Sequence, residues 1–119
     1  VFETGFADKN EFPFENGWLN NTGSILTNAG LPLVNGITVN KVSDNALQKQ
    51  QFVKQFNPGI ETMEGAALHY VCLQENIPFL QIRSISNYVG ERDKIKWKLK
   101  EAIENLNIDL IKLINRFTN

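Results

Sequence analysis

The chain has 119 residues, 42% of them hydrophobic, and 12 Lys and Arg against 13 Asp and Glu give a net charge of -1. That is length for one core and one domain, in a composition too apolar for a disordered chain. It offers no cationic excess to hold a nucleic-acid backbone. No apolar run approaches a membrane span, and no basic region followed by an apolar stretch marks a signal peptide. The chain opens on Val1 rather than Met, so its start need not be the natural one. A single cysteine, Cys72, excludes an intrachain disulfide and a multi-cysteine metal cluster. With His69 as the one histidine, no carboxylates are spaced to complete a zinc site. No metal site is therefore expected, and the cysteine usage fits a reducing, cytoplasmic compartment.

Residues 1–23 show no steady period and are punctuated by Pro13, Gly17 and Gly23. They read as a long loop whose Phe2, Phe6, Phe12, Phe14 and Trp18 either pin it to the core or line a pocket or subunit interface. Residues 24–26 and 36–42 read as strands, the second rich in β-branched Ile37, Thr38, Val39 and Val42. Ser43 or Asp44 can cap a helix over 45–56 with Leu47, Phe52, Val53 and Phe56 buried, and Asn57-Pro58-Gly59 ends it. A second helix over 63–75 carries Met63, Ala66, Ala67, Tyr70, Val71 and Leu73 at helical spacing. Residues 79–85 read as a buried strand and 87–94 as a polar loop. A long amphipathic helix over 95–117 follows, with Leu99, Ile103, Leu106, Leu110, Leu113, Ile114 and Phe117 on one side. The order predicts an α/β fold, a layered sheet with flanking helices. Ligands in such folds bind beyond the carboxyl ends of the strands, here residues 39–43 and 86–88.

Two polar residues stand out at those ends. Glu64 lies in the first turn of its helix, where the macrodipole alone can account for a carboxylate. Its neighbours also suit a site: Met63 before it, and small Gly65, Ala66 and Ala67 after it. Glu61 is a competing carboxylate. Asn87 ends a strand, where Asn also favours turns, but its amide offers the donor and acceptor that suit reading a heterocycle edge. His69 and Cys72 read as packing residues, and so do Tyr88 and Trp97. Arg83 is expected to pair with a buried carboxylate. Lys94, Lys96, Lys98 and Lys100 read as a solvated face. No motif for serine or cysteine nucleophilic catalysis or for a phosphate-cradling glycine loop is present.

The run Glu61-Thr62-Met63-Glu64-Gly65-Ala66-Ala67, then Tyr70-Val71-Cys72 and Ile77-Pro78-Phe79-Leu80-Gln81-Ile82-Arg83-Ser84-Ile85-Ser86-Asn87, resembles the nucleoside phosphorylase and nucleosidase superfamily. Methylthioadenosine/S-adenosylhomocysteine nucleosidases read Met-Glu-Ala and Arg-Ala-Ile-Ser-Asp at the corresponding places. Met-Glu-Gly-Ala-Ala with Ile-Ser-Asn-Tyr-Val is similar to the futalosine hydrolase branch of menaquinone biosynthesis. The match is specific over residues 57–106 and looser over 1–56, where Phe12-Pro13-Phe14 and Asn16-Gly17-Trp18 also fit. The resemblance implies that Glu64 binds the ribose hydroxyls, Met63 packs on ribose and base, the segment around Val42 flanks the base, and Asn87 holds the departing base. It also implies a homo-oligomer and catalysis without metal or cofactor.

Asn87 stands where adenosine-acting relatives have Asp. An amide can donate to the position-7 nitrogen and to a 6-oxo group, which favours hypoxanthine or guanine over adenine. Family members are about twice this length. Residues 1–119 therefore read as the C-terminal portion of a single nucleosidase domain, lacking the Glu that activates the attacking water and needing the N-terminal half for activity. The expected reaction is hydrolysis of futalosine to hypoxanthine. A phosphorylase or nucleosidase for inosine, guanosine or methylthioadenosine, or a non-catalytic purine-binding module, are the alternatives.

Overall fold

Short elements alternate along the chain: α1 (Ser24–Thr27), β1 (Gly36–Thr38), α2 (Ala46–Phe56), β2 (Ile60–Thr62), α3 (Gly65–Gln74), a 3-10 turn (Lys94–Lys96) and α4 (Leu99–Thr118). This computed structural model describes residues 2–119; Val1, the first residue of the expected N-terminal loop, lies outside the described residues. β1 and β2 pair in parallel through the α2 crossover, in the register Gly36↔Ile60, Ile37↔Glu61 and Thr38↔Thr62. The α/β class holds, and the described residues contain this one two-stranded sheet.

Each helix ends where its sequence provides the chemistry. The Asn45 side chain accepts from Leu47 N–H at 2.8 Å to start α2, and Asn57 in the left-handed region closes it. At the end of α3, Ile77 N–H bonds Cys72 C=O at 2.9 Å and Asn76 N–H bonds Leu73 C=O at 3.3 Å. With Asn76 at φ 52° this is a Schellman close, and Pro78 prevents continuation. Asn16 and Gly17, both at positive φ, form the tip of a small hairpin in which Glu15 and Trp18 exchange two backbone bonds.

Four expectations need correction. Residues 24–26 form a helical turn rather than a strand, because Leu26 N–H and Asn28 N–H bond back to Gly23 and Ser24 carbonyls. The strand expected over 36–42 stops at Thr38. Val39 N–H makes the last bond, to Thr62 C=O, and Ser43 N–H is captured at 2.9 Å by the Glu61 carboxylate, which turns the chain away. Residues 79–85 form no strand, and residues 80–85 make no backbone hydrogen bond among the described residues. In compensation β2 occupies Ile60–Thr62, where sequence reading placed only a connection.

The molecule measures 45 × 40 × 19 Å. Its radius of gyration is 15.9 Å, against about 13.5 Å for a compact chain of this length. Its accessible surface is 9386 Å², against roughly 6,500 Å² for a monomer of this mass. The thin plate buries a short hydrophobic set: Ala29, Cys72, Phe79, Ala102 and Leu113. Phe52 and Phe56 are half-buried beside Trp18, but Leu47 and Val53 on the same helix are exposed. On α4, Leu99, Ile103, Leu110, Ile114 and Phe117 face solvent too. The expected buried sides exist as apolar stripes without a covering layer.

Polar ties replace some of the missing packing. Arg116 near the end of α4 donates to the carbonyls of Asn28 at 3.2 Å and Ala29 at 2.8 Å. Asn21 donates to Phe79 C=O at 2.8 Å, and Lys98 N–H bonds Ser86 C=O at 2.8 Å. Gly30 sits at φ +73°, and a Cβ there would collide with the Arg116 guanidinium. Gly30→Ala is therefore expected to destabilise the chain by about 1–2 kcal/mol, read as a lower urea midpoint at unchanged slope.

Candidate functional site

β2 runs directly into α3 through Met63 and Glu64, so the carboxyl end of the parallel pair meets a helix N-terminus. Glu64 is the N-cap residue of α3, exposed, and its carboxylate makes no capping bond. It lines a cleft of about 210 Å³ with Glu61, Thr62, Arg83, Ser84 and Ile85. The same segments also border a larger open groove of about 1150 Å³ that crosses β1, α3 and residues 80–85. Leu33, Ile37, Ala67, Tyr70, Leu80 and Ile85 give this groove its apolar character.

The two carboxylates separate by role. Glu61 is already engaged, its Oε1 accepting from the buried Ser43 N–H. The Glu64 carboxylate has no hydrogen bond or ion pair among the described residues. Glu61 holds the loop that carries Val42, and the Glu64 carboxylate stays unpaired at the cleft. Ser43 is 1% exposed, and its Oγ has no partner among the described residues.

The other expected site residues lie around this end of the sheet without all meeting. Met63 is 47% exposed and Val42 57% exposed. Asn87 lines neither cleft. Its Nδ2 donates to Tyr88 C=O at 3.0 Å, and its Oδ1 accepts from Ser86 Oγ at 2.6 Å. One N–H and one acceptor lone pair of the amide remain for a ligand. The Arg92–Asp44 ion pair ties the loop after Asn87 to the loop after Val42, and Lys49 Nζ on α2 donates to Val89 C=O at 3.1 Å.

Sequence reading missed Gln81. Its Nε2 donates to Gly65 C=O at 2.6 Å and to His69 Nδ1 at 2.7 Å, and its Oε1 accepts from Arg83 Nη2 at 3.0 Å. Gln81 thus bolts residues 80–85 to the first turn of α3. Arg83 is exposed and spends this bond on Gln81; no carboxylate pairs with it among the described residues. A lone Gln in an apolar run is the signal that could have found this link, since a buried amide needs partners.

His69 packs edge-on to Phe79 at 4.7 Å. Accepting from Gln81 at Nδ1 leaves the proton on Nε2. Burial lowers its pKa from 6.5, opposed by the Gly65 carbonyl near the same nitrogen. A lowered folded-state pKa means that the unfolded chain takes up the proton first. Stability is then complete above pH 6.5 and is lost as the pH falls through the folded-state value. The urea midpoint should drop as the pH falls below 6.5, and drop less in His69→Asn, whose Oδ1 takes the place of Nδ1 and accepts from Gln81 without titrating.

The described helices include none long and apolar enough to cross a membrane. The phosphorylase superfamily model matches residues 1–117. A futalosine hydrolase of Thermus thermophilus is 33% identical over 97 residues, covering 82% of this chain and 42% of that protein. A futalosine hydrolase of Streptomyces coelicolor is 34% identical over 56 residues, covering 45% of this chain and 24% of that protein. The chain thus spans less than half the length of either relative, and no solved structure matches it. With a family model that runs from the N-terminal loop to the end of α4, the chain belongs to the phosphorylase superfamily.

Proposed function

We propose that this chain is the ribose- and base-holding portion of an N-glycosyl hydrolase of 6-oxopurine nucleosides, with futalosine as its substrate. The observation that carries the reading is the unpaired Glu64 carboxylate at the rim of a cleft beyond the carboxyl ends of a parallel pair. The likeness to two futalosine hydrolases supports the substrate.

Glu64 accepts hydrogen bonds from the ribose hydroxyls. As the N-glycosidic bond lengthens, its electron pair leaves with the purine and the sugar gains oxocarbenium character. The carboxylate then meets a developing positive charge, so its interaction strengthens in the transition state. Asn87 gives up its contact to Tyr88 and donates to the position-7 nitrogen and the 6-oxo group. An amide is no acid near neutral pH, so Asn87 stabilises the departing hypoxanthine anion by hydrogen bonding and transfers no proton; the anion takes its proton from solvent. Met63 and Val42, both exposed, supply apolar contact to the sugar and base. Water attacks the anomeric carbon and gives its proton to a carboxylate from the part of the protein that the relatives carry beyond the matched length. That part lies against the open groove, and the complete protein is a homo-oligomer.

Mixing this chain with the complementary fragment of a related enzyme should release hypoxanthine from futalosine without phosphate. Glu64→Gln is expected to lower kcat by about 10²–10³, and Asn87→Asp to lower kcat/KM about tenfold. Cleavage that depends on phosphate, or that prefers inosine or methylthioadenosine, would move the assignment to a sister activity. Hypoxanthine binding without turnover of any of the three nucleosides would reduce it to a binding module.

A further inference from the structure

An N-cap side chain ordinarily accepts from the first-turn N–H groups of its own helix. Glu64 does not, because those donors are taken. Gly65 N–H bonds Thr62 Oγ1 at 3.1 Å, Ala66 N–H bonds Thr38 Oγ1 at 2.9 Å, and Ala67 N–H bonds Glu64 C=O at 3.1 Å. The two hydroxyls belong to directly opposed residues of the parallel pair and lie 3.2 Å apart. One hydroxyl of the pair donates to the other, either way round, and Thr62 Oγ1 also lies 3.5 Å from the Ile37 carbonyl that can take its proton. Both oxygens therefore keep lone pairs for the helix. Gly65 permits the approach: a Cβ there would stand 2.7 Å from Thr62 Oγ1 and 3.3 Å from Gln81 Oε1.

We infer that Thr38 and Thr62 are positioning residues for Glu64: their hydroxyls cap α3 from the sheet, so the Glu64 carboxylate stays turned to the cleft rather than folding back onto the helix. The inference deepens the assigned ribose-binding role of Glu64 and rests on it for its catalytic consequence. Without the hydroxyls, two N–H groups would lose their acceptors beside a helix N-terminus, the setting that draws a carboxylate inward. The cap and the ligand would then compete for one side chain.

Thr→Val removes the hydroxyl at nearly constant shape, and Thr→Ser keeps it. In Thr38→Val and Thr62→Val, amide exchange at Gly65 and Ala66 should accelerate about tenfold, with the rest of α3 unchanged. The Glu64 χ1 couplings should shift to a single inward rotamer. Both effects should revert in the serine variants. In the mixture with the complementary fragment, the valine variants should lower kcat about tenfold at nearly constant KM. Unchanged exchange at both amides, uniform acceleration along α3, an unmoved Glu64 rotamer or an undiminished kcat would each overturn the inference. Should the wild-type mixture leave futalosine intact while exchange and rotamer respond as stated, the nucleosidase reading falls and the positioning role stands.

Discussion

A plate 19 Å thick cannot bury both faces of its elements, and this constraint shapes every other feature of the molecule. A helix or sheet normally hides one apolar face against a second layer. Here the second layer is thin, so the buried hydrophobic set is short and the stripes of α2 and α4 remain in water. At about 25 cal/mol per Å², such exposed apolar area is a large forgone stabilisation. What holds the elements is polar: locally the Asn45 cap and the Schellman close after α3, and across the chain Arg116 on the carbonyls of Asn28 and Ala29.

The functional end of the sheet follows the same logic. Glu61 captures Ser43 and fixes the loop that carries Val42, while Gln81 fixes residues 80–85 to α3. The Thr38↔Thr62 register puts two hydroxyls under the N-terminus of α3. The first-turn amides of α3 are thereby occupied, and the Glu64 carboxylate is left at the cleft. The cleft is shallow for the reason that the plate is thin: its far wall is the proposed contribution of additional polypeptide.

Where local chemistry decides, the sequence is a good guide. Asn57 ends α2, Asn76 and Pro78 end α3, and the three- and four-residue spacing of apolar side chains marks α4, although the cap of α2 is Asn45 rather than Ser43 or Asp44. Burial was misread for a physical reason. Leu47, Val53, Ile103 and Ile114 carry an inward-facing pattern, and a pattern cannot say whether anything lies opposite. Residues 79–85 fail as a strand on the same ground, since a strand needs a partner for its backbone groups and the described residues offer none. β2 escaped notice because three residues between a helix-ending Pro-Gly and the next helix carry almost no periodicity. At the site, Glu64 and Glu61 looked alike in sequence. Only the turn of Ser43 onto Glu61 tells them apart, and the roles of Thr38 and Gln81 depend on contacts to α3 between residues 12 to 28 positions apart.

The central claim is that the open groove beside Glu64 is one side of a site which additional polypeptide completes. Its most direct test is amide hydrogen exchange over residues 80–85, first in this chain alone and then after mixing with the complementary fragment of a related enzyme. Unbonded amides predict fast exchange alone and strong protection in the mixture. Strong protection already in the chain alone, or no gain on mixing with a fragment that binds, would contradict the account.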